Sequence, residues 1–105
     1  MTEANEIKLM GAVPQKNSGR GKIQKGDAVL GPFLVDVKEY DESFSVSRTN
    51  WAKLQSDAFT TEQRQPMFWL SLGSKKAQHR LRVVVLGREM FEEMYEAWKE
   101  KYEYE

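Results

Sequence analysis

The sequence predicts an α/β (α+β) fold, a mixed β-sheet with flanking helices. Three observations predict it. Residues 28–40 hold two apolar, β-rich runs interrupted only by Gly31-Pro32; residues 67–72 and 81–86 are short apolar runs of strand length; and after Arg88 the apolar residues change to helical spacing. The implied order is a short N-terminal element, two strands, a helix, two strands and a helix. A chain of 105 residues hides roughly 60–68% of its unfolded surface on folding. One core is therefore expected, in a single domain over 1–105, with an N-terminal element and a basic, glycine-rich loop over 1–26 and the core over 27–105.

Each element has its own warrant. Glu3, Glu6, Ile7, Leu9 and Met10 fit either a brief helix or a ragged strand. From Ile7 to Gly26 there are five basic residues and no acid, interspersed with Gly11, Pro14, Asn17, Ser18, Gly19, Gly21 and Gly26. That is an open stretch, read as a polyanion-contacting loop or as a solvated arm. Ala-Val-Leu, Gly31-Pro32 and Phe-Leu-Val-Asp-Val-Lys-Glu-Tyr then spell a hairpin with a two-residue turn. Ser47 or Thr49 caps a helix through about Phe59, with Trp51, Leu54, Ala58 and Phe59 on its apolar side. Pro66 is expected to break the chain before the strand at 67–72, and residues 73–80 form a polar, basic loop. In the last helix Met90, Phe91, Met94, Tyr95, Trp98 and Tyr102 recur at steps of three and four, a stripe expected to be core packing rather than a ligand site.

Composition excludes several functions. The chain has no cysteine, so disulfides, thiolate metal sites and thiol nucleophiles are ruled out. Its one histidine, His79, rules out sites needing two imidazoles, and nothing places it near a carboxylate as a general base. Apolar runs fall far short of the roughly 20 residues that span a membrane, and Met1 does not open a signal-peptide pattern. The protein is therefore expected to be soluble, unprocessed and intracellular. Sixteen basic and sixteen acidic residues give zero net charge, but the neutrality is a cancellation. By segment the balance is +3 over 1–26, −4 over 27–47, +5 over 48–82 and −4 over 87–105.

If Gly31-Pro32 is the turn, Leu30 pairs with Phe33, Val29 with Leu34, Ala28 with Val35, and Asp27 with Asp36. Lys38, two residues on, shares the Asp36 face. Ala28, Leu30, Phe33, Val35 and Val37 make the other face apolar, leaving two acids and a lysine at the open end of the first. Like charges directly opposite are destabilising by roughly 0.2–1 kcal/mol when exposed, and more when buried. Something must offset them. Lys38 or Lys25 neutralises the pair, or the register slips by one, or a hard divalent cation bridges the carboxylates, as Mg²⁺ does with one or two carboxylates, waters and phosphate oxygens. The last arrangement is useful in phosphodiester hydrolysis: a carboxylate-held metal activates water and accommodates the leaving oxygen, while a lysine stabilises the developing charge. Residues 17–22 (Asn-Ser-Gly-Arg-Gly-Lys) and Lys25 precede Asp27 and offer N–H groups, a hydroxyl and cations to a phosphate backbone.

Asn17-Ser18-Gly19-Arg20-Gly21, Lys25-Gly26-Asp27, Val35-Asp36-Val37-Lys38 and the helix over 45–57 resemble phage-encoded Holliday junction resolvases of the PD-(D/E)xK nuclease superfamily. The close resemblance covers about residues 16–59. It implies a restriction-endonuclease-like core, with Asp27 and Asp36 as the two motif acids that ligate Mg²⁺ or Mn²⁺ and Lys38 as the motif lysine. The backbone carbonyl of Val37 is implied as a further ligand. A glutamate from the N-terminal helix often joins such sites, with Glu6 the better-placed candidate and Glu3 the second. Gly26 departs from the pattern, which has proline there, and the second acid is Asp rather than the commoner Glu.

The remaining basic residues complete the expected DNA surface: Lys16, Ser18, Gly19, Arg20, Lys22 and Lys25 on the loop, Arg48 and Lys53 at the start of the central helix, and Lys75 and Lys76, with His79 and Arg80, on the later hairpin tip. Trp51 is read as core, and the glutamates of the last helix as a solvated face. Tyr102-Glu-Tyr104-Glu is either a frayed tail or part of a dimer contact. The expected activity is metal-dependent, structure-selective cleavage of four-way DNA junctions by a homodimer, because a junction has approximate two-fold symmetry and needs two nicks. The setting would be cytoplasmic, in the host cell if phage-encoded, with no membrane partner. The alternatives are a nuclease of the same fold acting on other branched or duplex DNA, and a non-catalytic nucleic-acid-binding module.

Overall fold

A computed structural model describes residues 3–15, 26–74 and 79–103. In chain order its elements are α1 (Glu3–Met10), β1 (Val13–Pro14), β2 (Ala28–Leu30), β3 (Phe33–Tyr40), α2 (Arg48–Phe59), β4 (Gln65–Leu72), β5 (Leu81–Leu86) and α3 (Arg88–Tyr102). The strands form one mixed sheet in the order β1-β2-β3-β4-β5, in which β3 and β4 are parallel and every other neighbouring pair is antiparallel. A parallel pair needs a crossover, and α2 provides it.

The hairpin has the expected register: Ala28 faces Val35, Val29 faces Leu34, and Leu30 faces Phe33. Gly31 lies at φ +54°, a positive φ at the first turn position that a two-residue hairpin loop favours and only glycine adopts cheaply. With that turn set, alternation sends each side chain to a defined face. Ala28, Phe33, Val35 and Val37 join Met67 and Ile7 of α1 in one core, with Met10 and Trp69 packed against it. Leu34, Phe68 and Leu70 join Leu54 and Ala58 of α2 in the other. Both faces of the central strands are thus covered, while β5 leaves Leu81, Val83 and Val84 exposed. The face that carries Asp36 and Lys38 also holds the fully buried Leu34 and Phe68, packed against Leu54 and Ala58 of α2.

Helix α2 begins at Ser47. The Asn50 N–H donates to Ser47 Oγ at 3.0 Å and the Ser47 N–H donates to Asn50 Oδ1 at 2.8 Å, a reciprocal capping box that is worth about 1 kcal/mol. Trp51 and Phe44 set their rings against Phe68 at centroid distances of 5.7 and 5.1 Å. Phe59, expected on the apolar side, is 64% exposed, because it ends the helix beyond the reach of the sheet.

Three further expectations are corrected. The two-residue strand β1 pairs with β2 and is too short to carry a periodic signal. Pro66 does not break the chain but lies inside β4, opposite Leu34. Alternate residues of β4 donate to alternate neighbours, and Gln65 donates to the carbonyl of Pro32, the residue just before β3, so the absent Pro66 N–H falls on the β5 side. There the ladder begins only at Met67, and no bond is lost. The largest departure is α3: its Met and aromatic stripe is not core, and no residue of the helix is buried. Only Met90 packs against the α1-side core, which α1, Trp69 and Leu86 already fill. No described helix is long and apolar enough to cross a membrane.

Phe68→Ala is expected to cost about 3–5 kcal/mol, whereas Phe59→Ala should change stability by no more than about 0.5 kcal/mol. Urea denaturation of the two variants checks this contrast.

Candidate active site

The site forms where β2 ends and β3 continues. Just before β2, the Asp27 N–H donates to the Val35 carbonyl at 2.8 Å, and Asp27 Oδ2 accepts the Val37 N–H at 2.6 Å. The Asp27 side chain thus takes the place of the next rung of the ladder. Its approach depends on Gly26, at φ +73°, where a Cβ would sit 2.7 Å from the side chain of the buried Leu34. Proline, held near φ −65°, has no access to this conformation.

With Asp27 held there, Asp36 cannot avoid it: the two carboxyl groups are in side-chain hydrogen-bond contact. Burial, then the Asp27 carboxyl, raise Asp36 from 3.8 to about 6, against an opposing pull from Lys38. Asp36 keeps its proton below that pH. Lys38 Nζ is 3.5 Å from Asp36 Oδ2 and 5.7 Å from the centre of the Phe44 ring. Of the offsets considered for the opposed acids, the expected register holds through Ala28 and Val35, the Asp27 N–H then departs from it by donating to Val35, and Lys38 partly neutralises Asp36. The Tyr40 carbonyl accepts from Gly73 and the Pro32 carbonyl from Gln65. By alternation the even-numbered carbonyls of β3 face β4, and that of Val37 points to the β2 side, past Ala28. Two carboxylates and a carbonyl are therefore grouped at one strand end. A hollow of about 230 Å³ on the α2 face opens beside them, lined by Asp36, Lys38, Phe44, Asn50, Lys53 and Asp57.

Glu6 is not placed with this group. It is 1% exposed on the α1 face, and its carboxylate takes a two-point contact from Arg82, with Nε at 2.9 Å and Nη2 at 3.0 Å, together with Trp69 Nε1 at 2.8 Å. Trp69 pairs with Val37 in the sheet, so it points away from Asp36. The Arg82 guanidinium, more than Trp69, holds Glu6 below the usual carboxylate range despite burial. Glu6 is thus a buried structural anion, and its partner Arg82 carries no sequence signal because the two are 76 residues apart. Only the backbone of Glu3 is described, at the first position of α1. Among the described residues, no three His, Cys, Asp or Glu side chains cluster as a metal-binding group.

The expected DNA contacts divide. Arg48 and Lys53 are exposed on α2, and Lys53 Nζ pairs with Asp57 Oδ2 at 3.1 Å on the rim of the hollow. Arg80 is not on a basic tip: it is 8% exposed and donates to Ser71 Oγ at 2.7 Å and to the Ser71 carbonyl at 2.8 Å. His79 is exposed. Lys16, Ser18, Gly19, Arg20, Lys22, Lys25, Lys75 and Lys76 lie outside the described residues. Phe44 and Asp57 were missed by the sequence reading. Asp57 stands four residues after Lys53, a spacing that signals a helical ion pair, whereas Phe44 reaches Lys38 only through the fold of the 41–47 loop.

No family model matches the chain, and neither a curated protein nor a solved structure matches it.

Asp36 titrates near 3.8 in the unfolded chain and at about 6 when folded. Between these values the folded state binds more protons, so this group makes the metal-free protein less stable as pH rises through the window, and the cost is complete above 6. Asp36→Asn resembles the protonated form and keeps a donor for Asp27. It should stabilise the metal-free protein by about 1–3 kcal/mol at pH 8 and by little at pH 3.5, as measured by denaturation at both pH values.

Proposed function

We propose that this chain is a metal-dependent, structure-selective DNA endonuclease of the PD-(D/E)xK superfamily, with a restriction-endonuclease-like core, that resolves four-way junctions by paired, symmetric phosphodiester cleavage. The observation that carries the reading is the contact between Asp27 and Asp36 with Lys38 beside it. Two acids in contact are costly unless a cation or a proton separates them, and a lysine alone does not bring Asp36 back to an ordinary carboxylate. The all-oxygen donor set of Asp27, Asp36 and the Val37 carbonyl suits a hard divalent cation, Mg²⁺ or Mn²⁺. The mixed sheet between helices agrees with the class of fold that the resemblance implies. The departure at Gly26 has a local cause in its positive φ.

In this reading Asp27 and Asp36 hold the metal, which when bound supplies an activated water and neutralises the leaving oxygen. Asp27 is fixed by the Val37 N–H, so its carboxylate is positioned before any ligand arrives. Asp36 must lose its proton to act as a ligand, so the metal competes with that proton and binding weakens as pH falls below about 6. Lys38, steadied by the Phe44 ring, donates to the phosphate oxygen on which charge develops. Arg48 and Lys53, with the basic loop over 16–25, hold the phosphate backbone. Two copies are required for two opposed nicks, and the protein works in the cytoplasm that holds the DNA.

The test is parallel digestion of a synthetic four-way junction, a flap, a duplex and single-stranded DNA with Mg²⁺ at pH 8. Symmetric nicks on opposed junction strands are expected, with Asp36→Asn and Lys38→Ala each slower by on the order of 10²–10³-fold. Equal cutting by the variants refutes the site, and preferential cutting of flap or duplex refutes the junction. Salt-sensitive binding without product, unchanged by Mg²⁺, favours a non-catalytic nucleic-acid-binding module.

A further inference from the structure

Helix α3 is the element of the fold with the least explanation. Phe91, Tyr95, Trp98 and Tyr102 follow one another at steps of four, three and four. Their rings form a continuous seam, with successive centroids 5.9, 6.1 and 5.2 Å apart. The four rings are 55%, 37%, 46% and 52% exposed, and Met94 beside them is 46% exposed. At roughly 150–250 Å² per large side chain, this leaves about 500 Å² of apolar surface in one patch, near the upper limit for a monomer.

We infer that α3 is a self-association surface, and that its occupant is α3 of a second copy of this chain lying antiparallel across a two-fold axis. The steps of four, three and four are the narrow seam of a two-helix coiled coil rather than the wider face that a helix turns to a sheet. Run antiparallel, the seam complements itself: Phe91 meets the partner's Tyr102, and Tyr95 meets the partner's Trp98. The charges beside the seam agree. Glu92 and Lys99 are seven residues apart and hold the same flanking position, and in an antiparallel pair that position faces its own counterpart. Each Glu92 therefore meets the partner's Lys99, twice per dimer. Lys99 already stands at the seam, its Nζ 5.9 Å from the centre of the Tyr95 ring. A parallel pair would bring Phe91 onto the partner's Phe91 and form neither of these contacts. Both copies together cover about 1,000 Å², the lower threshold for a biological interface and the size of a weak, reversible one.

The nuclease reading requires two copies but assigns no surface to their contact; this inference supplies one from α3 alone, so it holds whether or not the chain cuts DNA. Sedimentation equilibrium of the wild-type protein between 1 and 200 µM, without DNA or metal, is expected to show a dimer of the 12.2 kDa chain. Because α3 contributes no buried side chain, Trp98→Glu and Tyr102→Glu should fold normally by circular dichroism and each weaken the dimer by at least about thirtyfold. Glu92→Lys should weaken it by roughly three- to tenfold, and Glu92→Lys combined with Lys99→Glu should restore it. A wild-type monomer at every concentration overturns the proposal, whether or not that monomer floats with phospholipid vesicles. A dimer that survives both seam variants, or a charge reversal that the second change does not rescue, overturns it equally.

Discussion

The site depends on two carboxyl groups that the chain cannot keep apart. The two-residue turn at Gly31-Pro32 sets the register of β2 and β3 as far as Ala28 and Val35, and just before β2 the Asp27 N–H also donates to the Val35 carbonyl, which leaves the Asp27 side chain beside Asp36. Gly26, in a conformation closed to proline, brings the chain into β2 at the angle this requires. The Val37 N–H then ties Asp27 in place. Asp36, with Phe68 beside it on the neighbouring strand and a hollow of about 230 Å³ on its α2 side, is only partly open to solvent. The rise of Asp36 to about 6 is the electrostatic record of that crowding.

The two faces of the sheet divide the work. On the α1 side a second buried acid, Glu6, is fully matched by Arg82 and Trp69, so its charge is retained and its role is to tie α1 to β4 and β5. On the α2 side Asp36 is under-matched, with one lysine at 3.5 Å and another acid in contact. The two carboxylates, Glu6 from α1 and Asp36 from β3, flank one small sheet, yet their environments push them in opposite directions. Such a contrast separates structural from functional acids more sharply than their positions in the sequence do.

What the sequence revealed follows the range of the interactions concerned. The hairpin, its turn, the face alternation and the placement of Asp27, Asp36 and Lys38 rest on local rules of period two and were legible. So was the start of α2, since Ser47 and Asn50 satisfy each other three residues apart. Glu6 was misplaced because its partner Arg82 is distant in the chain and lies on the face away from Asp36. Arg80 read as part of a basic tip because nothing local reveals that Ser71 accepts its hydrogen bonds. The aromatic stripe of α3 was read correctly as a helix face and wrongly as core: periodicity shows that a face is apolar, but not that the same chain covers it. Pro66 shows the converse, since a residue that normally interrupts a strand is harmless where the neighbouring strand has not yet begun.

The central claim is that burial, together with the neighbouring Asp27 carboxyl, keeps the proton on Asp36 to about pH 6. Carbon-13 NMR of the aspartate side-chain carboxyls, followed through a pH titration of the metal-free protein, measures this directly. The account predicts that Asp36 titrates near 6 and moves toward ordinary aspartate values both in Asp27→Asn and when Mg²⁺ is added to the wild type. An Asp36 that titrates near 3.8 in the metal-free wild type, unmoved by either change, would contradict it.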